Sequence, residues 1–163
     1  MVSDVTVKVD LPNEAATIAL AQSLAPALLD GGVVYLRGEL GAGKTTLARA
    51  LLQAMGVGER VKSPTYSLLE RYMVNGRDAF HLDLYRIANA GELEWLGLDE
   101  QDAPETIVLV EWPERGRGAL PKPDLEITLE HEGQGRSACF GVASQRGSHW
   151  IYGIEAAAGR VRK

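Results

Sequence analysis

The amino-acid sequence predicts an α/β protein, with a central, mostly parallel sheet flanked by helices and an antiparallel β-hairpin attached. Three observations carry this expectation. The runs "VVYL" (residues 33–36) and "TIVLVE" (residues 106–111) are near-continuous and β-rich, as strands covered on both faces of a parallel sheet are. The first of them leads through glycines directly into a helix-like stretch. "YSLLERYMV" and "RDAFHLDLY" flank Asn75 and Gly76, and Asn-Gly between two β-rich runs favours a two-residue hairpin turn.

The remaining elements follow in chain order. "VTVKV" (residues 5–9) alternates with period two and predicts a half-buried strand. A helix follows from Asn13, whose side chain is suited to cap the free amides. Leu20, Leu24 and Leu28 recur every four residues with Leu29 alongside, and "DGG" (residues 30–32) supplies the stop. Pro26 removes one backbone N–H from this pattern and predicts a kink or an early end. A second helix is expected from about Lys44 to Met55, ended by Gly56. "ANAGELEWLG" (residues 88–97) reads as a short helix entered through Asn89, with Glu92 three residues on. "PKPDLEITLEHEGQGRSACFGVA" (residues 121–143) reads as strand, turn and strand, and "GIEAAAGRVRK" (residues 153–163) as tail-like. The expected organisation is a single domain over residues 1–140 and a C-terminal extension over residues 141–163.

At 163 residues, with 45% hydrophobic and 24% charged residues, the chain has the composition of a folded globular domain. Its formal net charge of -5 argues against broad neutralisation of nucleic-acid phosphates. No DNA contact is expected, and contact with RNA would be local or made through a partner. Cys139 is the only cysteine, which excludes an internal disulfide and a cysteine metal cluster and reads as a small strand hydrophobe. Acids and a proline stand where a signal peptide would need a basic segment and an apolar stretch, and no apolar run approaches the ~20 residues of a membrane span. A soluble, cytoplasmic protein is expected.

The chemistry concentrates in "GELGAGKTTL" (residues 38–47). Gly38, Gly43, Lys44 and Thr45 match G-x-x-x-x-G-K-[ST], with Gly41 as a further glycine. Glycines let successive backbone N–H groups turn inward around a phosphate, and the helix behind them adds the positive end of its dipole. Lys44 then reaches the β- and γ-phosphates, and the Thr45 hydroxyl is placed to ligate Mg²⁺. Glu111 ends the apolar run "IVLVE", where a carboxylate orienting the metal's water shell is needed. Asp83, in "HLDLYR", reads equally as a functional acid, a solvated strand acid or a partner for Arg86. It is expected to face away from Leu82 and Leu84, and to share a face with His81 only if the strand is irregular. His81 itself reads as a hydrogen-bonded structural histidine rather than a base. "KSPTYS" (residues 62–67) fits either a loop that senses the γ-phosphate or an ordinary loop. Arg115 and Arg117 fit a solvated turn, a source of transition-state charge or a partner contact.

Taken together, "GELGAGKTTL", "VKSPTYSL", "HLDLYR", "ELEWLGLDE", "VLVEWPERG" and "LP" resemble the bacterial TsaE family, also called YjeE, in order and close to its spacing. The resemblance runs from about Asn13 to Glu130 and departs at Gly91 and Glu92, where the family carries a pair of acids. It implies a P-loop NTPase fold in which Gly38, Gly41, Ala42, Gly43, Lys44, Thr45 and Thr46 wrap the ATP phosphates. It further implies that Thr45 and Glu111 serve Mg²⁺, that Lys44, Asp83 and Glu111 are catalytic, and that Asn13 borders the nucleotide. Ser63, Pro64, Thr65 and Tyr66 carry over as a switch-like loop, and Trp112 as an aromatic beside Glu111. The implied partners are TsaD and TsaB, whose complex transfers a threonylcarbamoyl group to adenosine in tRNA. ATP binding and slow hydrolysis by the present chain would drive assembly and turnover of that complex. Rival readings are a small-molecule P-loop kinase, for which "ERGRG" is a short lid candidate, and a nucleotide-sensing module with little hydrolysis. A GTPase is disfavoured, because no N-K-x-D stretch is present to read guanine.

Overall fold

A computed structural model describes residues 6–57, 68–94, 105–158 and 161–162. The chain runs β1 (Thr6–Leu11), α1 (Glu14–Leu28), β2 (Gly32–Gly38), α2 (Lys44–Ala54), β3 (Leu69–Val74), β4 (Arg77–Asp83), α3 (Gly91–Glu94) and β5 (Ile107–Glu111). A 3₁₀ turn (Pro113–Gly116), β6 (Leu125–Glu132), β7 (Gly135–Val142), α4 (Gln145–Ala158) and β8 (Val161–Arg162) complete it. The strands form an eight-stranded sheet in the order β3-β4-β5-β2-β6-β7-β1-β8. Its centre, β4-β5-β2-β6, is parallel. Antiparallel pairs flank it on both sides: β3 with β4, and β6 with β7, β7 with β1 and β1 with β8.

The sequence dictates this centre because β5 is apolar at every position but its last, and all five residues are buried. Alternate residues feed opposite faces. Ile107 and Leu109 join Val34 and Leu36 in a core shared with α1, α2 and α4. Val108 and Val110 pack with Phe80, Leu82, Leu84 and Leu93 on the other side. The β3–β4 hairpin turns at Asn75 (φ 52°) and Gly76 (φ 78°), the pair of left-handed residues that such a turn requires.

Asn13 caps α1 as expected, its side chain accepting the Ala16 N–H at 2.9 Å. Pro26 does not end that helix, which continues to Leu28. The proline costs the helix a single N–H bond, and only two residues follow it before the helix ends. At α3, the Asn89 side chain accepts the Gly91 N–H at 2.9 Å, while Glu92 accepts the N–H groups of Ala88 at 2.6 Å and Asn89 at 3.2 Å. This is the reciprocal cap that the spacing predicts.

The tail-like reading of residues 153–163 is corrected: α4 extends to Ala158, and β8 pairs with β1. Trp150, Ile151 and Ile154 are buried in the same core as α1, so apolar packing holds the helix. Asp124 anchors its entry, one carboxylate oxygen accepting the Val33 N–H at 2.9 Å and the other the Ser144 hydroxyl at 2.6 Å. Cys139 lies in β7 as a half-buried free thiol. Among the described residues, no helix is long and apolar enough to cross a membrane.

Candidate functional site

Parallel pairing sets the carboxyl ends of three strands side by side. Leu36 of β2 is in register with Glu111 of β5, and Glu111 with Asp83 of β4. Beyond β2 the chain turns through its glycines into α2, and a cleft of ≈ 370 Å³ opens between that loop and the strand ends. Lys44, Thr45, Asp83, Glu111 and Trp112 line it together. Ligand sites of open parallel sheets occupy this end of the strands.

Gly43 is the residue before α2 and adopts φ 107°, a conformation in which a side chain would be strained. It gives the helix no side-chain cap, so the first amides of α2 are left for an anion. Thr45, one residue into that helix, donates its hydroxyl to Glu111 Oε1 at 2.7 Å. The second oxygen, Oε2, lies 2.7 Å from His81 Nε2. Lys44 is buried, with its ammonium donating to the carbonyls of Gly38 at 2.6 Å and Glu39 at 2.9 Å. The same ammonium lies 4.2 Å from the centre of the Trp112 ring, within range of a cation–π attraction.

Burial dominates the electrostatics. It pushes the Lys44 amine below its ordinary value, against the opposing pull of the Glu111 and Asp83 carboxylates. Burial also raises Asp83, and the neighbouring Glu111 carboxylate raises it further. The site therefore holds two acids and one cation in a space that disfavours charge. A ligand bringing both phosphate and a divalent cation would relieve each side.

The remaining predicted residues fall as follows. Gly38 ends β2, and Gly41, Gly43 and Thr46 line the cleft. Ala42 is buried, and it borders with Asn13, Gly43 and Thr46 a second cavity of ≈ 240 Å³ behind the loop. Trp112 follows Glu111 in a left-handed conformation, φ 59°, and stacks near Tyr85 with ring centroids 5.0 Å apart. Ser63, Pro64, Thr65 and Tyr66 lie outside the described residues.

Arg115, read in the sequence as a solvated turn, a source of transition-state charge or a partner contact, lies over two aromatic rings of the cleft, 5.4 Å from Tyr85 and 5.7 Å from Trp112. One feature went unread. Arg136 reaches from β7 to donate to the Gly41 carbonyl at 3.2 Å. The expectation that Asp83 shares a face with His81 only in an irregular strand is also corrected. β4 is continuous to Asp83, and period two puts residues 81 and 83 of a regular strand on one face.

The family model described as "Threonylcarbamoyl adenosine biosynthesis protein TsaE" matches residues 11–138. The chain belongs to the TsaE family. A Haemophilus influenzae relative, the tRNA threonylcarbamoyladenosine biosynthesis protein TsaE, is 39% identical over 132 residues, 78% of this chain and 84% of its own. The TsaE protein of Bacillus subtilis is 35% identical over 121 residues, covering 74% of this chain and 75% of its own. Among solved structures, the crystal structure of Bacillus YdiB superposes with a TM-score of 0.75 at 27% identity, covering 96% of this chain and 97% of that one. The α/β fold, with its glycine loop leading into α2, is thus the TsaE fold, a P-loop fold.

The donor set suits a magnesium nucleotide. Thr45 and Glu111 offer a hydroxyl and a carboxylate at adjoining positions, both hard oxygen donors. Among the described residues there is no group of three or more His, Cys, Asp or Glu that would hold a metal alone. Mg²⁺ characteristically takes one or two protein ligands and completes its shell with phosphates and water.

Proposed function

We propose that this chain is a Mg²⁺-dependent ATPase that supports threonylcarbamoyl transfer to adenosine in tRNA by driving assembly and turnover of a TsaB–TsaD complex. The observation that carries the reading is the Thr45–Glu111 pair beside the buried Lys44 at the uncapped start of α2, in a chain of the TsaE family. The loop amides and Lys44 would hold the phosphates, and Thr45 and Glu111 would hold the metal. Bound there, Mg²⁺ would neutralise negative charge on the nucleotide's phosphates. Asp83 faces the same cleft and orients the attacking water, and Trp112 closes over the Lys44 ammonium. The acidic net charge suits a protein that leaves tRNA binding mainly to its partners. Its place of action in this reading is the cytoplasm.

The test is phosphate release from Mg-ATP by the chain alone and with TsaB and TsaD, with tRNA modification scored in the same reactions. Partners should stimulate both. Lys44→Ala removes a charged hydrogen-bond donor and should weaken nucleotide binding roughly 10- to 100-fold, the equivalent of about 1.5–3 kcal/mol. Glu111→Ala should lower turnover about 100-fold while changing affinity far less. Near-normal hydrolysis in both variants, or phosphate transferred to a small-molecule acceptor, would defeat the assignment.

A further inference from the structure

His81 sits in β4 without exposed surface and has no role in the reading above. Strand register explains its reach. In the parallel pair, His81 stands beside Leu109 and Asp83 beside Glu111, so His81 lies one pleat back along the face that Glu111 shares. From there its Nε2 is 2.7 Å from Glu111 Oε2, and its Nδ1 is buried with no hydrogen-bond partner among the described residues.

These contacts select one arrangement of protons. A carboxylate only accepts, so contact with an ionised Glu111 requires the proton on Nε2. The reverse arrangement, a protonated Glu111 donating to Nε2, would move the ring proton to Nδ1 and bury an N–H with no acceptor among the described residues. An apolar ring of similar size would fill the volume with no unpaired nitrogen. What the imidazole adds is therefore its bond to Glu111.

The two oxygens of Glu111 are thereby divided, Oε2 to His81 and Oε1 to the Thr45 hydroxyl. We infer that His81 is a positioning residue, whose ring clamps Oε2 through its Nε2–H and keeps Oε1 turned toward Thr45 and the cleft. The inference rests on the magnesium-nucleotide reading of that cleft for its purpose, and on the His81–Glu111 geometry for its substance. Outer hydrogen bonds of this kind set the orientation and basicity of metal-binding groups, and their loss lowers metal affinity about 10- to 100-fold.

Two measurements test it. Long-range ¹H–¹⁵N spectra of the free wild-type chain should show the His81 ring with its proton on Nε2, slow to exchange with water; a ring protonated on Nδ1 overturns the clamp. The second measurement compares His81→Phe, which keeps a buried ring without the donor, with His81→Gln, whose amide N–H reaches a similar point. His81→Phe should raise about 10-fold both the Mg²⁺ concentration for half-maximal phosphate release and the dissociation constant of Mn²⁺ from the protein–ADP complex. It should leave ADP binding in EDTA where it was, and His81→Gln should recover all but about threefold of the metal affinity. Equal loss in the two variants, or wild-type metal affinity in His81→Phe, overturns the inference. A wild type that shows the Nε2–H ring and releases no phosphate counts against the ATPase reading alone, because the tautomer decides the clamp without nucleotide.

Discussion

Asp83 and Glu111 end neighbouring parallel strands in register, so their carboxylates meet in a buried cleft whose cation, Lys44, is itself held by loop carbonyls. Burial and the Glu111 charge raise the Asp83 carboxyl above its ordinary 3.8, so the folded chain holds that proton more tightly than the unfolded chain does. Stability consequently falls as pH rises from the unfolded value through the folded one, and an ionised Asp83 is a destabilising group at neutral pH. Asp83→Asn removes the charge and keeps an oxygen for the Tyr85 N–H, which Asp83 accepts at 3.1 Å. At pH 7.5 the variant should melt about 2–4 °C above wild type, the span of ~1 kcal/mol in a chain of this size. The gain should shrink as pH falls through the folded value and vanish below 3.8, where both states carry the proton, while hydrolysis drops at every pH. A lower melting temperature at pH 7.5, or a gain that ignores pH, would show that the carboxylates do not repel. Lys44 and Thr45 were legible in the sequence because a glycine loop fixes their place locally, and Glu111 because it ends the apolar run of β5. The bond from His81 to Glu111 was not, since it depends on how two strands thirty residues apart align.

The elements were legible where local chemistry decides them. Asn75-Gly76 made its hairpin because its left-handed conformations admit few other residues, and Asn13 and Asn89 capped their helices from within one turn. The end of the chain was misread. Its Trp150, Ile151 and Ile154 stand at the spacing of one helical face, and that signal is present in the sequence, but the glycines and alanines beyond it read as a tail. What makes α4 part of the fold is its fit against the start of β6: a Cβ at Gly147 would collide with the Asp124 carbonyl, and Asp124 also holds the start of β2 through Val33. Gly147→Ala must therefore push the helix off its seat. It should cost roughly 1–3 kcal/mol in chemical denaturation, visible as a lower midpoint at unchanged slope. Gly32 and Asp124 lie at the opposite ends of β2 and β6 from the phosphate loop, so nucleotide affinity should not change with it. A variant as stable as wild type would mean that α4 has room to shift.

Across the whole molecule, the site exists only when the sheet is ordered. Its parts come from the loop after β2, from Asp83 of β4, from Glu111 of β5 and, through Arg136, from β7. The parallel character of β2 and β5 was readable from their composition, but not the order β4-β5-β2-β6, because nothing local to a strand names its neighbours. The same dispersion gives the last prediction. A ligand that needs all these segments binds the folded chain and not the unfolded one, so it stabilises by RT ln(1 + [L]/Kd), about 2.7 kcal/mol at 100 times Kd. Mg-ATP at that excess should raise the melting temperature by about 5–10 °C. Lys44→Ala at the same concentration should lose most of the rise. Glu111→Gln should keep the rise seen with ATP in EDTA and lose the further increment that Mg²⁺ adds to wild type, since it alters one proposed metal ligand and spares the proposed phosphate cradle. If the metal increment instead survives in Glu111→Gln and disappears in Asp83→Asn, the metal is held by β4 rather than β5, and the roles of the two acids must be exchanged.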